Sequence, residues 1–330
     1  MTMFKRMTVG LIAIALFTVG FAGTANAATL TWDGDTNNEF HTAANWNPDT
    51  DISGGAGTGF VQNNDLTVSS GTPSTNSNVV FIGGSSMLIN GGDVTWSGRY
   101  NTIGAGATAS AEITSGSLTV NYNGGSGHAF KVGDNNGSDG TIVQSGGTVT
   151  ATNANDWLEL AAGQSGAQGT YRISGGTLNA GRVSNGSAGT GLFHIIGDAA
   201  TINLTGSDGT SYSQNAASTL ELDINGISAI DATDAVSLAG TLDVEFLATP
   251  TNGQTFDIIN YGSLSGTFDT FDTLVDSPLG ADTITLSIDY GTQSNDAVVL
   301  AVTNVIPEPA SLALLGLGGL LIAGRRRRRQ

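Results

Sequence analysis

The chain has 330 residues, 48 of them Gly, and no Cys, which excludes a disulfide framework and any thiolate site. Its formal charge of −17 understates an asymmetry: between residues 28 and 306 only Arg99, Lys131, Arg172 and Arg182 are basic, against 27 acids, a net −23. A body that acidic repels nucleic acid and anionic lipid, and without disulfides it must be held by backbone ladders and packing.

Lys5 and Arg6 open the chain with positive charge, an apolar run follows over 9–21, and Ala25-Asn26-Ala27 supplies small residues at the right spacing for cleavage. This order predicts a secretory signal peptide over 1–27, cut between Ala27 and Ala28. The apolar run is short of the ~20 residues that span a membrane.

Residues 28–90 are expected to form an N-terminal β cap. Trp32 and Trp46 flank a turn rich in Asp and Asn. Such a pair suits an aromatic lid over the open end of a repeat stack, with a sugar-stacking platform as the alternative. Asp33-x-Asp35-x-Asn37 resembles the start of a calcium loop, but Asn38 stands where Gly is needed and Ala44 where Glu is needed. A solvated turn is the expectation. Residues 49–78 suggest a long loop with a few short strands, and Val79-Val80-Phe81-Ile82 is the first strongly apolar strand.

Residues 91–204 repeat. Ile113 to Val120, Ile142 to Val149 and Tyr171 to Leu178 share an apolar strand, a Ser-Gly turn and a second apolar residue, with degenerate copies at Asn90-Gly91-Gly92-Asp93-Val94 and around Ile202. Anchored on Val94, Leu118, Val149, Leu178 and Ile202, the steps are 24, 31, 29 and 24 residues. Short strands at such a period indicate the rungs of a β-helix. Rungs ~4.8 Å apart pair their backbones and align apolar side chains in an interior column. Gly and Asn supply the positive φ needed at corners. The strand opening each unit is matched as Ile103-Gly104, Val132-Gly133, Leu160-Ala161 and Val183-Ser184.

Candidate chemistry within the repeats is thin. His41, His128 and His194 lie in different units, which argues against a metal site shared by histidines. The segment from Asp134 to Gly140 carries calcium-type residues but occurs once, and it departs from the nine-residue calcium-binding β-roll repeat. Asp156 and Glu159 beside Trp157 suggest a glycosidase pair, and Arg172 or Arg182 could join them. Acids are frequent enough here that a solvated rung edge is the expected reading.

Residues 205–217 are polar without an apolar period and are expected to be a linker. Residues 218–304 return to strict alternation, as in Leu220-Glu221-Leu222-Asp223-Ile224 and Thr241-Leu242-Asp243-Val244-Glu245-Phe246. One buried and one wet face follow from that pattern. The expected fold class is therefore all-β: a parallel β-helix or solenoid with a C-terminal cap, either sandwich-like or of further solenoid rungs. The N-terminal signal peptide and a C-terminal transmembrane helix complete the expectation.

The last segment, 305–330, has three parts: Pro307-Glu308-Pro309, a small and apolar run over 312–324, and Arg325, Arg326, Arg327, Arg328 and Arg329 before Gln330. It resembles the PEP-CTERM sorting signal of Gram-negative bacteria. That resemblance implies processing by exosortase, a membrane transpeptidase of exopolysaccharide-producing species. The apolar run of 13 residues is short of an ordinary span, so a transient single-pass hold is expected, with the arginines as a cytoplasmic stop. The Ser-Gly-Gly-Thr rungs resemble autotransporter passenger repeats, and the segment from Gly240 to Phe268 is similar to the module that often follows them.

The expected partners are thus an exosortase-type enzyme, the membrane before processing, and extracellular polysaccharide, with no nucleic acid. No catalytic, cofactor-binding or metal-binding residue is assigned, no cofactor is expected, and the chain is not expected to be an enzyme. The expected function is a structural or adhesive protein of the cell surface or extracellular matrix. The alternatives are a β-helix polysaccharide lyase or hydrolase, and a carbohydrate-binding protein using Trp32, Trp46, Trp96 or Trp157.

Overall fold

The computed structural model describes residues 28–50, 52, 60–62, 64–121, 128–151, 156–206, 209–226, 229–276, 282–291 and 296–307. The expected signal peptide with its Ala27–Ala28 junction, and the tail from Glu308 and Pro309 through Arg325 to Arg329, fall on or across the undescribed segments. Among the described residues no helix is long and apolar enough to cross a membrane. Their one helical element is the three-residue 3-10 turn Ala43–Asn45.

The rest is β-strand, arranged as a solenoid. One wall is a nine-stranded sheet, parallel throughout, running from Phe60–Gln62 to Ser263–Gly266. The strands that follow each of its members in sequence form two further walls, joined in a larger sheet. One turn thus reads His128–Asp134, Asp139–Gln144, Thr148–Ala151, and the next Asp156–Ala162, Gln168–Ile173, Gly176–Ala180. Each pairs in parallel with its counterpart one turn on.

Alternation places every second side chain inside, where register stacks it on its counterpart. The residues that anchor the sequence period fall into one such column: Val94, Leu118, Val149, Leu178 and Ile202 are successive register partners, continued by Ile230 and Ile259. All seven are buried. A second column runs Ala111, Ile142, Tyr171, Phe193, Leu220, Leu242. Each large apolar side chain so buried contributes about 1.5–3 kcal/mol. Because a turn touches only its neighbours, stability builds step by step along the stack.

The third column contains polar residues. It runs Phe81, Ile103, Val132, Leu160, Asn185, Gln214. Asn185 Nδ2 donates to Thr219 O at 2.8 Å and to Gln214 Oε1 at 3.1 Å, and Gln214 Nε2 donates to Ala239 O at 2.8 Å and Thr241 O at 3.0 Å. These amides satisfy corner carbonyls inside the stack, which offsets the cost of their burial. They also revise three expectations. The solenoid starts near residue 60 rather than 91. The stretch 205–217, expected as a linker, carries Thr210–Gln214, an ordinary member of the nine-stranded wall. The fourth opening strand aligns through Asn185-Gly186 rather than Val183-Ser184, since Leu160 is the register partner of Asn185.

Antiparallel strands lie at both ends. At the first, Ala28–Trp32 lies parallel on Asn64–Val68 and antiparallel to Trp46–Asn47. Trp32 meets Trp46 edge-on at 5.3 Å, Phe40 meets Trp46 at 5.3 Å and Trp96 at 6.1 Å, and Trp46 Nε1 donates to Phe40 O at 2.8 Å. These rings pack together at this end of the stack, buried from solvent. At the other end Ala297–Pro307 runs antiparallel to both Thr255–Asn260 and Asp282–Asp289. The segment 218–304 therefore divides: its strands up to Thr270–Phe271 pair in parallel with the turn before and are further solenoid rungs, and its last strands form an antiparallel cap.

Candidate functional site

Two clusters stand on the outer face of the walls. The first lies on the nine-stranded wall, where parallel register sets Lys131 beside Glu159, Glu159 beside Ser184, and Trp157 beside Arg182. Lys131 Nζ is 3.1 Å from Asp134 Oδ2. The Arg182 guanidinium lies over the Trp157 ring at 4.6 Å, and its Nη2 donates to Ser213 Oγ at 3.1 Å. Ser187 Oγ donates to Glu159 Oε1 at 3.4 Å. Burial pushes the Glu159 carboxyl above its ordinary range, while Lys131, the Ser187 hydroxyl and Arg182 pull it back. A carboxyl so placed is a reasonable proton donor or acceptor.

The expected acid pair does not gain definition here. Asp156 stands at the start of its strand, in register with His128, and its side chain is outside the described atoms. Arg172 and Arg182, considered together from sequence, part company: Arg182 stays with Glu159, while Arg172 lies on the neighbouring wall in register with His194.

The second cluster occupies that neighbouring wall. His194 on Thr190–Ile196 is the register partner of Glu221 on Thr219–Ile224, and Asp223 is two residues further on, on the same outward side. The next strand adds Asp243 beside Glu221 and Glu245 beside Asp223. His194 Nε2 lies 2.9 Å from Asp223 Oδ2 and 3.5 Å from Glu221 Oε1. Burial raises the Glu221 carboxyl, opposed by His194 and reinforced by Asp223 and Asp243. Burial raises Glu245 as well, with Asp223 and Asp243 adding to it. Among the described residues His194, Glu221 and Asp223 are the one group of three or more His, Cys, Asp or Glu with donor atoms all within 4.8 Å of one another.

The other sequence candidates take structural roles. The Asp33–Asn37 turn is closed by Asn45, whose Oδ1 accepts from the Thr36 and Asn37 amides at 3.0 Å each. Asp134 is engaged by Lys131, and the loop that follows it exposes Asn135, Asn136 and Asp139. Trp32, Trp46 and Trp96 are buried, and one face of Trp157 lies under Arg182, so the first three offer no platform to a sugar. A shallow depression bounded by Ile224, Phe246, Pro250 and Phe256 offers about 40 Å³, far below a typical ligand pocket of roughly 300–1,000 Å³.

Comparison with protein families matches the PEP-CTERM protein-sorting motif over residues 305–329. This motif implies an exported protein of the cell envelope or surface, sorted by exosortase. Comparisons with curated proteins and with solved structures give no match.

Proposed function

We propose that the chain is a structural or adhesive protein of the cell surface or extracellular matrix, delivered there by its C-terminal motif and associated with exopolysaccharide. The body is an autotransporter-like solenoid that acts as a stiff, acidic spacer. The observation that carries this reading is the continuous parallel ladder from Phe60–Gln62 to Ser263–Gly266, with antiparallel strands at each end. Its interior is filled by side chains rather than shaped as a cleft.

A polysaccharide lyase or hydrolase is the second reading. Glu159 between Lys131 and Arg182 on one wall favours it. The purified full chain, incubated with a panel of acidic and neutral polysaccharides, separates the two. The structural reading predicts retention on a glycan column without new reducing ends or loss of viscosity. Chain cleavage that disappears in Glu159→Gln would replace it with the enzymatic one.

A further inference from the structure

We propose that His194, Glu221 and Asp223 form a binding site for a divalent transition metal of the zinc type, which clamps two successive turns of the solenoid together. The spacer role neither requires nor implies such a site.

Donor spacing is the first argument. Zinc holds His nitrogen at about 2.0–2.1 Å and carboxylate oxygen at about 2.0–2.2 Å, so neighbouring donors in a tetrahedral shell sit about 3.3 Å apart. His194 Nε2 is 2.9 Å and 3.5 Å from its two carboxylate oxygens. Both separations from His194 suit a shared ion, and the three donor atoms all lie within 4.8 Å of one another.

The second argument is an unsatisfied atom. The His194 side chain is 5% exposed. Its Nε2, buried and facing both carboxylates, makes no hydrogen bond, although Asp223 Oδ2 is 2.9 Å away. Asp223 Oδ1 is likewise buried without a hydrogen-bond partner. Buried polar atoms in that state are rare and ask for an explanation. A simple His–Asp ion pair would align the N–H with the oxygen, whereas a metal takes the nitrogen lone pair and leaves no such alignment to be made.

Charge gives the third. Four carboxylates, Glu221, Asp223, Asp243 and Glu245, stand in a two-by-two block on adjacent strands. The Arg172 guanidinium and the His194 imidazole face Glu221. A divalent ion adds the positive charge that this block lacks. One imidazole with two carboxylates and no thiolate suits zinc, cobalt or nickel; the nitrogen donor disfavours calcium and magnesium, which prefer all-oxygen shells. Glu221 is 31% exposed, so solvent can complete the coordination from outside. The ligands come from Thr190–Ile196 and Thr219–Ile224, adjacent turns, so binding ties one turn to the next.

The test is zinc titration of the purified, chelator-treated full chain by calorimetry, with cobalt absorption as a second readout. One saturable equivalent is expected, with cobalt bands characteristic of nitrogen and oxygen ligation. His194→Gln and Asp223→Asn should each weaken zinc binding at least about ten-fold, since losing a ligand costs more than losing a group that only supports one. Asp139→Asn, an exposed acid elsewhere, should leave it unchanged. Zinc should also raise the melting temperature of the wild type and not of His194→Gln. Glu221→Gln, altered at the most exposed ligand, serves if either buried variant fails to fold. Absence of a saturable equivalent in the wild type would overturn the proposal. So would equal affinity in wild type and the ligand variants, which would mark diffuse binding to the acidic surface.

Discussion

The close stacking of turns can be tested with two glycines that share a backbone conformation and differ in surroundings. Gly133 has φ +75° and Gly137 φ +76°. Alanine at either must adopt the left-handed region, at about 1–2 kcal/mol. A Cβ on Gly137 meets nothing within 4 Å. A Cβ on Gly133 would lie 1.8 Å from the carbonyl oxygen of Gln168, on the next turn. Relieving that overlap requires the two backbones to part by more than an ångström, against a strand spacing of about 4.8 Å. Two or three ladder hydrogen bonds beside the site would open, at roughly 0.5–1.5 kcal/mol each. Gly133→Ala should therefore cost on the order of 3–5 kcal/mol in all, and Gly137→Ala only the backbone term. In thermal melts followed by far-ultraviolet circular dichroism, the difference should be roughly 3–5 °C for a chain of this size. Equal melting temperatures would refute the idea that neighbouring turns meet at Gly133.

Other expectations follow from the same packing. Phe193 is fully buried, 5.9 Å from Tyr171 and 6.2 Å from Tyr212 between ring centroids; Phe193→Ala should cost about 3–5 kcal/mol in urea unfolding. Leu192→Ala, on the outward side of the same strand, should cost much less. Glu159 carries a raised carboxyl, so the folded chain keeps its proton where the unfolded chain has lost it. Its contribution to stability therefore falls as pH rises from about the ordinary value of 4.5 through the raised one. Glu159→Gln removes that loss, and its melting temperature relative to wild type should climb over this window. A flat or falling difference would show that Lys131 and Arg182 outweigh burial.

The sequence exposed the interior where the interior is apolar. Val94, Leu118, Val149, Leu178 and Ile202 stand out as a period, and they prove to be successive rungs of one column. Where the interior is polar the period vanishes. Asn185 and Gln214 sit in a buried column and bond to carbonyls one turn on, so the residues around them look like a linker although they are wall. Alternation in Leu220 to Ile224 is the same for a sandwich and for a solenoid; only the parallel partner Thr241–Phe246 decides between them. The cluster at His194 was beyond reach for a different reason. Turns differ in length by several residues, so the 27-residue step from His194 to Glu221 means nothing until register is known. Comparing histidines with one another also missed it, since the partners are carboxylates.

The account rests on a body that leaves its tail behind. Mass spectrometry of the protein recovered from the surface fraction of the native host tests this most directly. The account predicts an N-terminus at Ala28 and a C-terminus near the Pro307-Glu308-Pro309 motif, with the apolar run and all five arginines gone. Surface protein that still ends in Arg325 to Arg329 and Gln330 would contradict it.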